Sequence, residues 1–327
     1  SNGNAKVDPF SGEGGSALTI DIESIQIHWS GIGKLFLGLL AFPFFLAVIV
    51  GGLAGFYESE NSKFDDYHWL ALNWMFGMLG ICGICLPLFL LDQHFESADW
   101  CNCVLALFYT IHQFEENGYD AGGKRYPFVQ YLGFVMDCKA DVNMTSSVIN
   151  VRGDCGVDEF DIMWHNVYVV LGMMVLMPLF FLPFYARDYA LLQNAVLVAV
   201  NAVGFHIVPG LIQQKYNPGL LQSMFLNAPM ALYIIHRLLR DSRVSTLQLI
   251  FAFVLVGLPG QPALFLTPAY LFRAGTITKV QAHMWHASLP LLTLTSLLMK
   301  TPEAPEDAEK RKGKKEKNGK VLKGKTK

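Results

Sequence analysis

The stretch IHQFEENG, residues 111–118, closes a run that otherwise reads as membrane, because residues 100–114 contain no Asp, Glu, Lys or Arg. A helix places positions i, i+3 and i+4 on one face, so His112, Glu115 and Glu116 can converge on one point. Either the three residues mark where the helix leaves the bilayer, or they form a site. Residues at helix ends face headgroups and water, where His and Glu cost little. A buried acid costs about 2.5–3.5 kcal/mol on insertion scales, so two neighbouring acids at depth need a compensating reason.

The surrounding chain is apolar. Of 327 residues, 52% are hydrophobic and 16% charged, too little charge for an ordinary soluble domain. Runs free of acids and bases cover residues 35–57, 67–91, 100–114, 162–186, 189–214, 216–236, 244–272 and 280–299. A bilayer core takes about 20 apolar residues in helix, which makes these candidate spans. The third is short and must borrow from HQFEE. The seventh is interrupted by LPGQP at 258–262, which either kinks a helix or turns a re-entrant pair, giving seven or eight crossings. The expected fold is all-α, a polytopic transmembrane helix bundle over residues 35–299. It has an N-terminal cytosolic segment 1–34, one long lumenal loop 117–161 and a basic, disordered cytosolic tail 300–327.

Charge sets the orientation. Ten of the 25 Lys and Arg lie in the last 18 residues, which hold a single acid. Beside a hydrophobic body such a tail stays on the cytosolic side rather than binding nucleic acid. With eight crossings, 17 bases fall on cytosolic segments and eight on the other side, the expected bias. The 117–161 loop then faces an oxidising lumen. It carries the sequon Asn143-Met144-Thr145, a glycosylation acceptor. It also carries Cys138 and Cys155, which can pair there. Cys82 and Cys85 spell CxxC inside an apolar run and read as packing residues. The ending KGKTK resembles the KxKxx retrieval signal, which points to the endoplasmic reticulum with both termini cytosolic.

This topology sorts the histidines by depth. His112, Glu115 and Glu116 end span three on the outer side, His165 starts span four there, and His206 lies in the outer third of span five. His283 and His286 start span eight on that side, and His68 starts span two. Imidazole with carboxylate suits Zn, Fe or Mn. The same groups can instead transfer protons without a metal. Adjacent Glu115 and Glu116 have no facing carboxylate, which removes a glycosidase-type pair.

Beside HQFEE at 112–116 the chain places Asn201 and His206 in NAVGFHIVPG, then Tyr216-Asn217-Pro218-Gly219. In this order the motifs resemble the HXXEE domain family of polytopic membrane proteins, recognised by HxxEE, a further histidine and YxPG. The resemblance covers roughly residues 70–240. It implies His112, Glu115, Glu116 and His206 as catalytic residues, with Asn201 and Tyr216 contacting substrate. The metal set is then His112, Glu116 and His206, joined by His165 and His286 on grounds of depth, holding Zn or Fe. The expected function is a membrane-embedded enzyme on a lipid or hydrophobic substrate, either a metal-dependent hydrolase or a proton-transfer isomerase. A proton-coupled transporter and a lipid-binding scaffold are the alternatives. The expected partner is membrane lipid.

Overall fold

A computed structural model of the chain describes residues 97–299, apart from 125–126, 139, 144–149, 154, 156–158 and 261–264. The first two candidate spans, Cys82 and Cys85, His28, His68 and His94, and the basic tail lie outside the described residues.

Helix α1 (Ala98–Asn117) is continuous through HQFEE. Ser97 caps it, its hydroxyl accepting from the Trp100 N–H at 3.0 Å, and Asp99 sits in the first turn where the helix dipole favours an acid. Helix α2 (Phe128–Met136) lies in the long loop. Strands β1 (Ala140–Asn143) and β2 (Asn150–Gly153) follow as an antiparallel ribbon, its base closed by the expected Cys138–Cys155 disulfide. This short ribbon is the one departure from an all-helical chain among the described residues. Asn143 ends β1, and the rest of its sequon lies outside them.

Helix α3 (Glu159–Val167) runs on through wide turns over Tyr168–Phe181. The sequence places its end at the charged pair Arg187-Asp188, but the break comes earlier. Pro183 cannot continue the helix and holds Leu182 extended, so α4 starts at Phe184. Arg187 therefore lies inside α4. It donates to the Leu182 and Leu179 carbonyls at 3.2 and 3.0 Å, which the break leaves open, and pairs with Asp99 of α1.

Helix α4 comprises Phe184–Val200, a wide turn Asn201–Ile207 and Val208–Gln213. Pro209 has no N–H to offer the carbonyl one turn back, that of Phe205. The Tyr131 hydroxyl of α2 donates to it instead, at 2.7 Å. Helix α5 (Leu220–Gln222) passes through Ser223–Asn227 into α6 (Ala228–Arg240). Then come α7 (Thr246–Ala252), extended through Phe253–Gly257 and Leu258–Gly260, and α8 (Thr267–Arg273). The last candidate span is divided into α9 (Lys279–Ala287) and α10 (Pro290–Leu294). Two helices, Asp161–Phe181 and Phe184–Gln213, are long and apolar enough to cross a membrane by length and composition.

The core joins Leu105 and Tyr109 of α1 to Met173 and Met174 after α3 and to Leu191, Leu192 and Ala195 of α4, all buried. Within it Asn194 donates to Asn102 at 2.8 Å. A buried amide pair has few acceptable registers, so it fixes how α1 slides along α4. The two helices run parallel, and further along them His112 meets His206.

Candidate metal centre

His112, Glu115 and Glu116 all point into the protein, at 0, 4 and 4% exposure, so α1 does not end in solvent here. The two glutamates nevertheless face different partners, because successive residues on a helix diverge by about 100°. Glu116 turns to the histidines: its Oε1 lies 3.3 Å from His206 Nε2 and 3.7 Å from His112 Nε2. The imidazole rings meet edge to face, their centroids 4.7 Å apart.

Each ring is held by its other nitrogen. His112 Nδ1 lies 3.2 Å from the Gly219 carbonyl and 3.4 Å from the Ser223 hydroxyl. A carbonyl only accepts, so Nδ1 carries the hydrogen. His206 Nδ1 lies 3.0 Å from Asn217 Oδ1, and the Asn217 amide nitrogen donates to the His206 carbonyl at 2.9 Å. That second bond orients the amide, so the His206 hydrogen is also on Nδ1. Both Nε2 lone pairs are therefore aimed at one carboxylate. Three acceptors face one another with nothing positive between them, a repulsive arrangement that a cation or a shared proton relieves.

The donor set fits a metal ion. His112, Glu116 and His206 each offer one atom, all within 4.8 Å of one another, and all three residues are buried. His112 Nε2 has no hydrogen-bond partner, as expected for a ligand atom. Two imidazoles and a carboxylate suit Zn or Fe, and three protein ligands leave a position for water or substrate. Nδ1–H bonds to a carbonyl and an amide are the outer contacts that fix ligating histidines.

Glu115 does different work. Its Oε1 accepts from the Tyr216 hydroxyl at 2.8 Å and the Leu221 N–H at 3.2 Å, and its Oε2 from the Gln222 N–H at 2.8 Å. It fastens the start of α5 to α1. Tyr216 also accepts from the Ala121 N–H at 3.3 Å. Expected in contact with substrate, Tyr216 is engaged in positioning Glu115 and the loop. Gly219, at φ 86°, closes the turn where an added Cβ would lie 2.4 Å from His112 Cε1 and 2.9 Å from His206 Cε1.

Asn201 lines a cavity of about 50 Å³ beside the centre, with Glu116, His206, Gln113 and His165. Its Oδ1 has no partner, and its side chain lies next to His112. Tyr131 of α2 forms part of the wall, its ring stacked 6.3 Å from His206. Burial, with Glu116 nearby, raises its hydroxyl pKa. The structure does not bring His165 and His286 into the three-ligand group. They pair with each other, Nδ1 to Nδ1 at 3.3 Å, while His283 bonds the Tyr168 hydroxyl at 3.1 Å. Shared depth put all these histidines in one layer, but depth says nothing of azimuth around the bundle.

No curated protein and no solved structure matches the chain. Residues 103–234 match the family described as a protein of unknown function with HXXEE motif. The match contains HQFEE, His206 and the 216–219 turn, the elements that build the three-ligand group. The chain is thus similar to that family over residues 103–234.

Proposed function

We propose that the chain is a membrane-embedded, metal-dependent enzyme acting on a lipid or similarly hydrophobic molecule. His112, Glu116 and His206 are its ligands, and Zn or Fe is its metal. The observation that carries the reading is the convergence of two Nε2 lone pairs on Glu116, with each Nδ1 hydrogen already committed elsewhere. An ion there supplies Lewis acidity and a lowered pKa for bound water. The chain's own residues hold the ligands in place and wall the cavity with apolar rings that exclude bulk water. Asn201 offers an acceptor at its edge.

A lipid environment is supported by large apolar side chains that face outward. Phe180, Phe181, Phe184, Leu211, Ile212 and Phe225 are each 68% exposed or more. Outward apolar faces of this extent suit hydrocarbon rather than water. The full reading is a bundle of seven or eight spans in the endoplasmic reticulum, the 117–161 loop lumenal and both termini cytosolic.

Metal analysis of the purified full-length chain tests the centre. About one equivalent of Zn or Fe is expected, lost in His112→Ala and His206→Ala. Asn217→Leu, which frees His206, should weaken retention against a chelator about 10–100-fold. A chain that holds no metal and takes up neither Zn nor Fe would overturn the metal reading. Glu116 and His206 would then remain as a pair sharing a proton.

A further inference from the structure

The cavity beside the centre has further polar lining. His165 and Asn166 of α3 line it together with Glu116 and His206, and both are buried, at 6 and 3% exposure. His165 Nδ1 is 3.3 Å from His286 Nδ1, and the Phe265 ring packs against both imidazoles. Two neutral imidazoles in this arrangement share one hydrogen between the facing nitrogens. His165 Nε2 is then a donor when its Nδ1 accepts, and an acceptor when its Nδ1 donates. That Nε2 is the ring nitrogen not used in the contact with His286. Asn166 spends its amide nitrogen on the Ile162 carbonyl at 2.9 Å and leaves Oδ1 without a partner. Buried polar atoms are rarely left unpaired in a finished site, and Asn166 Oδ1 is one such atom on a residue lining the cavity.

The rest of the wall is apolar, led by Phe128, Tyr131, Phe205 and Phe265, and no Lys or Arg lines it among the described residues. A phosphate or sulfate head would meet no guanidinium or ammonium there. The volume of about 50 Å³ is a few times the roughly 10–15 Å³ that one water needs. It takes the small polar end of a molecule, not a phosphorylated headgroup.

We infer that His165 and Asn166 anchor the hydroxyl group of an uncharged lipid, whose neighbouring carbon atoms then lie against Glu116 and His206. A hydroxyl both donates and accepts, which matches a ring nitrogen able to do either and an amide oxygen that accepts. The inference rests on the enzyme reading of the centre and names its substrate class. The His165–His286 pair positions that hydroxyl and is not part of the ligand group.

The test uses the full-length chain in detergent with a diazirine-bearing long-chain alcohol. The probe is expected to label peptides containing Tyr131, Phe205 or Phe265. Excess unlabelled alcohol should compete, and the alkyl phosphate of the same chain should not. His165→Phe and, separately, Asn166→Leu should each lower labelling about tenfold, the worth of one or two hydrogen bonds. Both variants should keep the wild-type metal content and unfolding temperature. Equal competition by the alkyl phosphate, or undiminished labelling of both variants, would overturn the assignment. Loss of metal from His165→Phe would also overturn it by making His165 a ligand. Alcohol selectivity in a metal-free chain would sink the metal reading alone, and bound metal without selectivity would sink this one alone.

Discussion

The carbonyl oxygen of Gly219 lies 3.2 Å from Nδ1 of His112, on a backbone that turns at φ 86°. One residue thus gives the chain a turn between α4 and α5 and gives His112 its tautomer. The 216–219 turn acts residue by residue. Tyr216 holds Glu115, Asn217 holds His206, and Gly219 bonds His112 and leaves both rings the space a side chain would take.

Gly219→Ala should therefore disable the centre. The positive φ costs an L residue about 1–3 kcal/mol, and the new methyl would overlap the His112 ring 2.4 Å away. The expected outcome is a lower unfolding temperature together with loss of bound metal. A variant that keeps its metal would show that the turn does not set the His112 ring.

The adjacent glutamates should separate cleanly. Glu116→Gln removes the anionic ligand and should abolish metal retention while the fold persists. Glu115→Gln cannot offer two acceptor oxygens to the two N–H groups and one hydroxyl that the carboxylate now receives. It should lower stability by about 1–3 kcal/mol and leave metal stoichiometry near wild type. Thermal unfolding and metal analysis of the two variants, side by side, decide it; the opposite pattern would exchange their roles.

The loop makes its own prediction. Non-reducing peptide mapping should recover Cys138 joined to Cys155. Opening a bridge of sequence separation 17 should cost about 3 kcal/mol on the chain-entropy estimate. If the loop is lumenal, protein from a eukaryotic host should lose mass on glycosidase treatment, and Asn143→Gln should remove that shift. Cleavage of the 117–161 loop by protease added to sealed, cytosol-side-out vesicles would reverse the topology.

Much of the centre was legible because helical spacing is a local property. His112 and Glu116 lie four apart on one face, and His206, which as a lone helical imidazole also suits a hydrogen-bonded core, stands in an apolar run at the same depth. The division of labour between Glu115 and Glu116 was not legible, because both belong to the same motif and only the partner across the bundle distinguishes them. Tyr131 gave no signal, since its role depends on a carbonyl freed by Pro209, far along the chain. The pairing of His165 with His286 needed the azimuth of α3 and α9, which hydropathy does not contain. Charge alone puts the end of the α3 run at Arg187, but Pro183 breaks it earlier, and Arg187 lies inside α4 paired with Asp99.

The disulfide closes directly after α2, and α2 contributes Phe128, Tyr131 and Leu132 to the cavity wall. The bridge thus fastens the loop segment that follows this part of the wall. A reducing cytosol keeps thiols apart, so protein produced there should assemble its helices yet keep a loosely hinged wall beside the ligands. If His112, Glu116 and His206 hold a metal, it should then exchange faster than in material matured under oxidising conditions. The choice of expression host becomes a variable of the site itself.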